Sequence, residues 1–283
     1  MKIAVFGNKI TTKHLLNYLL LNEVNISALI TFKANPLEAN SISGYSSELK
    51  IIATKNEINL IEVNDYSLRS DETQKEILDQ HFDLGLVTGW QRLIPPGILK
   101  SFSLGVFGWH GSFMKFPNGR GRSPLNWSIR LGADRIYHNF FKYDEGADTG
   151  GIYDIGEFSI EPSDYIADLQ LKALEHMKTS SLRLVKDYSE GKSVTLLNQP
   201  DGIGVIFPKL TPDDGRLQPK AQTSLQAINI IRASSHPFPG AFLEEKGKKI
   251  IIWRASLTKD IEEKLEQINF IDGPIFLQEF ETA

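Results

Sequence analysis

Apolar and polar positions alternate in a regular way through the first half of the chain. Short apolar runs of strand length are separated by stretches with apolar residues at helical spacing. Because strands that alternate with helices form crossover units, the pattern predicts an α/β fold with a mostly parallel, doubly wound sheet and helices on both faces. The apolar runs are residues 2–6, 26–31, 60–63, 84–88 and 105–109, and the amphipathic stretches are residues 14–21, 47–55 and 72–82.

Two later segments carry the signals of helices with defined ends. Ser123 precedes Pro124 and a helical pattern that stops at Gly132, so Ser123 is the expected N-cap. A longer helical pattern opens at Ser163 and closes at Gly191. The β-like runs between these helices are residues 135–143 and 150–160.

The residue composition and the hydrophobic pattern of the sequence change at about residue 195. Prolines and turn residues become frequent, and strand-like patterns return at residues 248–256 and 273–281. We therefore predict a Rossmann-like domain over residues 1–192 and a small β-rich C-terminal domain over residues 193–283. Exposed strand edges in the second domain would favour a homodimer.

Composition narrows the classes of protein that fit. Apolar residues make up 41% and charged residues 23% of the 283 positions, close to globular averages, and we find neither an export signal nor a bilayer-length apolar run. The absence of cysteine excludes thiolate metal sites and fits a reducing compartment, and the histidines lack metal-ligand spacing. A net charge of -4 disfavours nucleic acid as the main partner. We expect a cytoplasmic protein that binds neither metal nor membrane.

Two common motifs are absent. The loop after the first strand, "GNKITTK", contains Gly7 but no second glycine, so it is neither a dinucleotide fingerprint nor a Walker loop. "HGS" at residues 110–112 lacks the nucleophile elbow of a serine hydrolase.

Three loop segments carry the informative chemistry. They are "LVTGWQRLIPPGIL" at residues 86–99, "GVFGWHGSFMKFPNGRGRSPLNW" at residues 105–127 and "YDEGADTGG" at residues 143–151. His110 ends an apolar strand, and ligands of doubly wound sheets bind beyond the carboxyl ends of the strands. Asp144 and Asp148 lie on a glycine-rich backbone that can turn sharply and approach a ligand.

In this order and spacing, the three segments resemble the folate-dependent formyltransferases. That family includes methionyl-tRNA formyltransferase, glycinamide ribonucleotide formyltransferase and sugar N-formyltransferases. "WQRLIP" matches the family's turn ending in "ILP", "GWHGSFMKFPNGRGRSP" its Asn-x-His block, and "DEGADTG" its D-x-G-x-D-x-G loop. "LTPDDGRLQ" and "AINIIRASSHPFPGAF" resemble its C-terminal block and extend the match to about residue 242.

The resemblance implies transfer of a formyl group from 10-formyltetrahydrofolate to a primary amine. His110 would take and return a proton, and Asp148 would orient the imidazole and favour its charged form. The folate would be held by two loops, whose matched residues are Trp90, Gln91, Arg92, Leu93 and Ile94 in one, and Asp144, Glu145 and Gly146 in the other.

One position departs from the family pattern. The family's asparagine, which donates to the formyl oxygen, aligns with Gly108, and loss of one oxyanion donor typically costs about 100- to 1,000-fold in rate. Ser112 and Asn126 are candidate replacement donors, as are the backbone amides of Gly111 and Ser112 and protonated His110. A non-catalytic folate- or nucleotide-binding relative is the alternative.

The acceptor amine is inferred from loop lengths and charge. The short loop after the first strand and the acidic chain argue against the transfer-RNA type, although methionyl-tRNA formyltransferase stays an alternative. "GWQRLIP" and "GRGRSPLNW" resemble enzymes that formylate nucleotide-linked amino sugars, with a 4-amino-4,6-dideoxyhexose favoured and a UDP-linked intermediate of pseudaminic-acid biosynthesis as a narrower suggestion. The weaker substrate-binding candidates are Asn8, Gly44, Tyr45, Arg120 and Arg122.

Overall fold

The structure is a computed structural model that describes residues 1–42, 44–245, 247–258 and 266–282. Contacts divide the chain into two compact units. The first contains Met1–His110, His138–Gly156 and Ala173–Gly202, and the second contains Gly111–Tyr137, Glu157–Lys172 and Ile203–Ala283. The predicted sequence-domain boundary after residue 192 stays a prediction.

Within the described residues, seven strands form one sheet in the order β3-β2-β1-β4-β5-β7-β8. The β1/β2, β2/β3, β1/β4 and β4/β5 pairs are parallel. Chain progression reverses between β1 and β4, and such a switch point is where doubly wound sheets bind ligands. In chain order the first eight strands are β1 (Ile3–Phe6), β2 (Ala28–Phe32), β3 (Asn59–Val63), β4 (Leu84–Val87), β5 (Gly105–Ser112), β6 (Arg120–Gly121), β7 (Arg135–Lys142) and β8 (Ile152–Ser159).

Helices pack on both faces of this sheet. Alternate residues of β1 enter different cores: Ile3 and Val5 belong to one cluster, and Ala4 and Phe6 to another. The first cluster includes residues of α1, α3 and α7, and the second includes residues of α4 and α5. The predicted Rossmann-like class is confirmed. The helices are α1 (Ile10–Leu21), α2 (Pro36–Ser41), α3 (Leu49–Lys55), α4 (Asp71–Leu78), α5 (Pro96–Ser101), α6 (Pro124–Arg130), α7 (Ile166–Ser189) and α8 (Ser224–Ser234).

One predicted helix start is confirmed and one is corrected. Ser123 occupies the N-cap position directly before α6, as predicted, but its φ of 53° is left-handed and its side chain makes no cap hydrogen bond. Its hydroxyl instead accepts from the Leu210 amide at 3.3 Å. The long helix α7 begins at Ile166 and not at Ser163, and Asp168 accepts a hydrogen bond from the Tyr165 amide at this end.

The second unit contains an antiparallel sheet, as the β-rich prediction required. Its described strands have the order β10-β11-β13-β12, and residues of α8 share a hydrophobic core with them. Helix α8 was not predicted, because its apolar residues lie in a segment flanked by prolines and read as turn-rich. The remaining strands are β9 (Ile206–Phe207), which pairs with β6, β10 (Ala241–Glu245), β11 (Lys248–Ser256), β12 (Gln267–Phe270) and β13 (Gly273–Thr282).

None of the helices in the described part of the chain combines the length and apolar character needed to cross a membrane.

Because Phe140 lies in the core next to β5 and β7, we expect its truncation to cause a large loss of folding stability. This side chain is fully buried and stacks on the Trp109 indole with ring centroids 4.3 Å apart. We expect Phe140→Ala to lower the free energy of unfolding by about 3–5 kcal/mol, measured by urea denaturation, because truncation leaves a cavity. Leu171→Ala, at an exposed position of α7, is the control and should cost less than about 1 kcal/mol. Equal losses in the two variants would contradict this assignment of the core.

Candidate functional site

His110 and Asp148 lie side by side in the first unit. His110 is near the end of β5, and Asp148 is in the loop between β7 and β8. The imidazole Nδ1 is 3.4 Å from the carboxylate Oδ2, and the two side chains are 6% and 22% exposed. A carboxylate in this position can accept a hydrogen bond from Nδ1 and orient the ring. The structure therefore brings together the two residues that carry the predicted chemistry, whose roles stay predictions.

Side chains of β5 point alternately to the two faces of the sheet, and this alternation determines the face on which His110 lies. Phe107 belongs to one core cluster and Trp109 packs against it, whereas Val106 belongs to the cluster on the opposite face. Because side chains alternate along a strand, Val106, Gly108 and His110 share the second face.

Side-chain and backbone contacts hold the Asp148 loop in shape. Asp148 has a φ of 59°, in the left-handed region that few non-glycine residues adopt. The Gln199 side-chain amide donates to the carbonyls of Asp148 and Gly150 at 3.0 and 2.7 Å. Asp144 accepts from the Gly146 amide at 3.0 Å and from the Thr149 hydroxyl. The predicted folate residue Asp144 therefore shapes the loop through these contacts.

Gln199 was missed by sequence reasoning. It lies 51 residues after Asp148 in a segment without a recognisable motif, so only the folded chain shows that the two meet. Asn139 was also missed, and its side chain donates to the His110 carbonyl at 3.3 Å.

A buried polar chain lies beside the site. The Nδ1 atoms of His138 and His176 are 2.8 Å apart, and His176 Nε2 lies 2.9 Å from Asp154, which also pairs with Arg183. Burial, and then the charges of His176 and His110, hold the pKa of His138 well below its ordinary value, so this ring is neutral at neutral pH. Burial raises the pKa of Asp154, but hydrogen bonds from His176 and Arg183 outweigh it and lower the value to about 2.

The loop after β4 presents both buried and exposed residues. Trp90 and Ile94 are buried, whereas Gln91, Arg92 and Leu93 are exposed. Tyr66 contacts the loop at two points. The Tyr66 hydroxyl accepts a hydrogen bond from the Gln91 amide at 3.0 Å, and the Arg92 guanidinium lies 5.2 Å from the centroid of the Tyr66 ring. The buried Trp90 Nε1 has no hydrogen-bond partner among the described residues, so it can donate to a ligand.

A cleft of about 420 Å³ includes part of the predicted folate site. Glu145 forms an ion pair with Lys100 at 2.6 Å, and the Lys100 hydrogen bond and charge lower the pKa of Glu145. Residues 90–94 and Gly146 do not line this cleft. Of the predicted folate-binding residues, the cleft therefore contains only Asp144 and Glu145. The lining residues are Pro96, Leu99, Lys100, Phe102, Gly105, Lys142, Tyr143, Asp144 and Glu145.

The candidates Asn8, Gly44 and Tyr45 come together at the end of β1. The Gly44 carbonyl accepts from the Ile10 amide at 2.8 Å, and Tyr45 bridges to Lys9. Asn8 is fully buried, and neither atom of its side-chain amide has a partner among the described residues. Burial, and then the charge of Glu62, raise the pKa of Tyr45. Ligand binding by these residues stays a prediction.

Four predicted residues belong to the second unit. The Asn126 amide nitrogen donates to the Ala233 carbonyl at 2.7 Å, and the buried Ser112 hydroxyl accepts from the Met114 amide at 3.2 Å. Arg120 is buried with its guanidinium 5.7 Å from the Phe116 ring centroid, and Arg122 is exposed. Their roles in binding or catalysis stay predictions.

No group of three or more histidine, aspartate or glutamate side chains in the described part of the chain is arranged to hold a metal ion.

Comparison with known proteins identifies the family to which this chain belongs. The N-terminal family model described as "Formyl transferase" matches residues 1–183, and the model described as "Formyl transferase, C-terminal domain" matches residues 209–276. The chain therefore belongs to the formyl transferase family, and the resemblance drawn from the loop segments is confirmed.

Among characterised relatives, the methionyl-tRNA formyltransferase of Lactobacillus acidophilus is 28% identical over 211 residues, which cover 75% of this chain and 65% of that protein. HypX from Aquifex aeolicus in complex with tetrahydrofolic acid superposes with a TM-score of 0.67 at 15% identity, over 99% of this chain and 44% of that chain. An N-formyltransferase from Helicobacter canadensis in complex with folinic acid and dTDP-3-aminofucose gives a TM-score of 0.68 at 19% identity, over 98% and 99%. The chain thus spans less than two thirds of the first two proteins, and at these identities the structural likeness shows the fold.

The lowered pKa of Asp154 predicts a pH-dependent contribution to stability. A carboxyl with a pKa of about 2 when folded, and an ordinary 3.8, stabilises the fold above about pH 4 and loses this contribution as pH falls toward 2. We expect Asp154→Asn to lower the free energy of unfolding by about 2 kcal/mol between pH 5 and 7, and by progressively less below pH 4, measured by urea denaturation.

Asp134→Asn is the control because Asp134 is 82% exposed. A difference between wild type and Asp154→Asn that stays constant from pH 7 to 3 would contradict the assigned pKa.

Proposed function

We propose that the protein transfers a formyl group from 10-formyltetrahydrofolate to the primary amine of a nucleotide-linked amino sugar. The observation that carries this proposal is the His110–Asp148 pair at 3.4 Å in a chain of the formyl transferase family.

The chemistry requires a residue that can move a proton twice. The amine nitrogen forms a bond to the formyl carbon, the bond from that carbon to the folate nitrogen breaks, and the proton lost by the amine must reach the departing folate nitrogen. His110 suits this transfer because an imidazole accepts and donates a proton near neutral pH. Asp148 positions the ring and stabilises its positive charge while it holds the proton.

The residues present fit a folate. Trp90 Nε1 is a buried donor without a partner among the described residues, and a pterin offers acceptors to such a group. Leu99 and Phe102 give the cleft an apolar wall, while Asp144 and Glu145 add polar groups. The bound donor would supply the activated formyl group.

An amino sugar is the favoured acceptor. The Helicobacter canadensis structure contains dTDP-3-aminofucose and matches nearly the full length of both chains. The net charge of -4 and the short loop after β1 also favour a small acceptor over transfer RNA. Within this class, we favour a 4-amino-4,6-dideoxyhexose, and a UDP-linked sugar of pseudaminic-acid biosynthesis is the narrower suggestion.

Methionyl-tRNA formylation is a second candidate function. It is supported by the Lactobacillus acidophilus relative, which is 28% identical over 75% of this chain.

The test is incubation of the protein with 10-formyltetrahydrofolate and a panel of acceptors, followed by mass spectrometry. The panel contains UDP- and dTDP-linked 3-amino and 4-amino sugars and methionyl initiator tRNA. We expect one sugar to gain one formyl unit, and we expect His110→Gln to lower kcat by about 100- to 10,000-fold because it removes the general base. Asp148→Asn should also lower kcat, since it removes the charge that orients the imidazole.

His236→Gln is the control because this exposed histidine lies in the second unit. Formylation of the tRNA alone would establish the second candidate. Folate binding without transfer to any acceptor would identify a non-catalytic relative and overturn the proposal.

A further inference from the structure

Tyr143 lies directly over Gly108, on the face of β5 that carries His110. It follows β7, and its amide donates to the Val106 carbonyl at 2.7 Å. A Cβ atom added to Gly108 would lie 2.3 Å from the Tyr143 hydroxyl oxygen and 2.5 Å from Cζ. The tyrosine hydroxyl therefore fills the space that a side chain at position 108 would occupy.

The hydroxyl is a protonated donor with no competing partner. It makes no hydrogen bond to any residue that the structure describes. Burial, and then the negative charge of Asp148, raise the pKa of Tyr143. The phenol therefore keeps its proton at neutral pH.

Formyl transfer needs such a donor. The carbonyl oxygen gains negative charge as the amine attacks, and a donor aimed at that oxygen lowers the barrier. Gly108 has no side chain to supply one, and the Asn126 amide already donates to Ala233.

We infer that Tyr143 is a catalytic residue, and that its hydroxyl donates a hydrogen bond to the formyl oxygen from the position vacated by a side chain at Gly108. This inference rests on the proposed formyl transfer. The tyrosine and the glycine form a matched pair, because any larger residue at position 108 would displace the ring.

The test removes only the hydroxyl. We expect Tyr143→Phe to lower kcat for formylation of the acceptor by about 100- to 1,000-fold, the usual cost of one oxyanion donor. Tyr137→Phe, at the other end of β7, is the matched control and should leave kcat unchanged. A kcat for Tyr143→Phe equal to that of wild type would overturn the inference.

A binding measurement separates this inference from the proposed function. By calorimetry, Tyr143→Phe should bind a stable 10-formyl folate analogue about 2- to 12-fold more weakly than wild type, and bind tetrahydrofolate equally well, because one neutral hydrogen bond to the formyl group is lost. Equal affinity of both proteins for the formyl analogue would overturn the role of Tyr143 while leaving folate binding intact. Failure of wild type to bind either folate would overturn the proposed function and, with it, the role of Tyr143.

A rescue experiment distinguishes loss of the hydrogen-bond donor from loss of side-chain packing. Tyr143→Ala removes both ring and hydroxyl, and adding Gly108→Asn places an amide donor in the emptied space. We expect the double variant to recover at least about tenfold in kcat over Tyr143→Ala alone, since a donor is restored. Gly108→Asn in the wild-type background should lose activity because its side chain meets the tyrosine ring. No recovery in a folded double variant would count against the assigned position of the donor.

Discussion

The contact between His110 and Asp148 is the constraint on which the site depends. The imidazole comes from β5 and the carboxylate from the loop after β7, and these strands are neighbours in the sheet although 38 residues separate the two side chains. An imidazole without a nearby carboxylate can take either tautomer and many orientations, whereas the Asp148 carboxylate beside Nδ1 favours one orientation of the ring. The loop contacts made by Gln199, Asp144 and Thr149 hold the carboxylate in the position that this pair requires.

The alternation of side chains along β5 determines which residues surround the His110–Asp148 pair. Trp109 points to the opposite face, where its stacking on Phe140 anchors the strand in the core. Gly108 lies on the His110 face and leaves room there for the Tyr143 ring. One strand thus supplies a packing surface on one side and the face that carries His110 on the other.

The polar groups beside His110 differ in charge. His138 is fully buried and neutral, whereas Asp154, farther along the same hydrogen-bonded chain, is partly exposed, ionised and paired with Arg183. Burial keeps His138 neutral, whereas hydrogen bonds from His176 and Arg183 keep the Asp154 carboxylate charged against the effect of burial. The buried His138 ring therefore adds no positive charge beside His110.

The sequence by itself determined the parallel sheet, the helices on both faces and the loops that carry His110 and Asp148, because these features follow from local periodicity and short motifs. It also located the ends of two helices at Gly132 and Gly191, where a positive φ is easiest for glycine. Ser123 occupies the N-cap position that the sequence indicated but makes no side-chain cap hydrogen bond, and α8 was missed because burial against the antiparallel sheet stabilises it. Only the tertiary structure decided that Gln199 holds the Asp148 loop and that the Tyr143 hydroxyl occupies the space above Gly108. Both contacts depend on strand order and side-chain direction, which bring together residues that no periodic pattern along the chain connects.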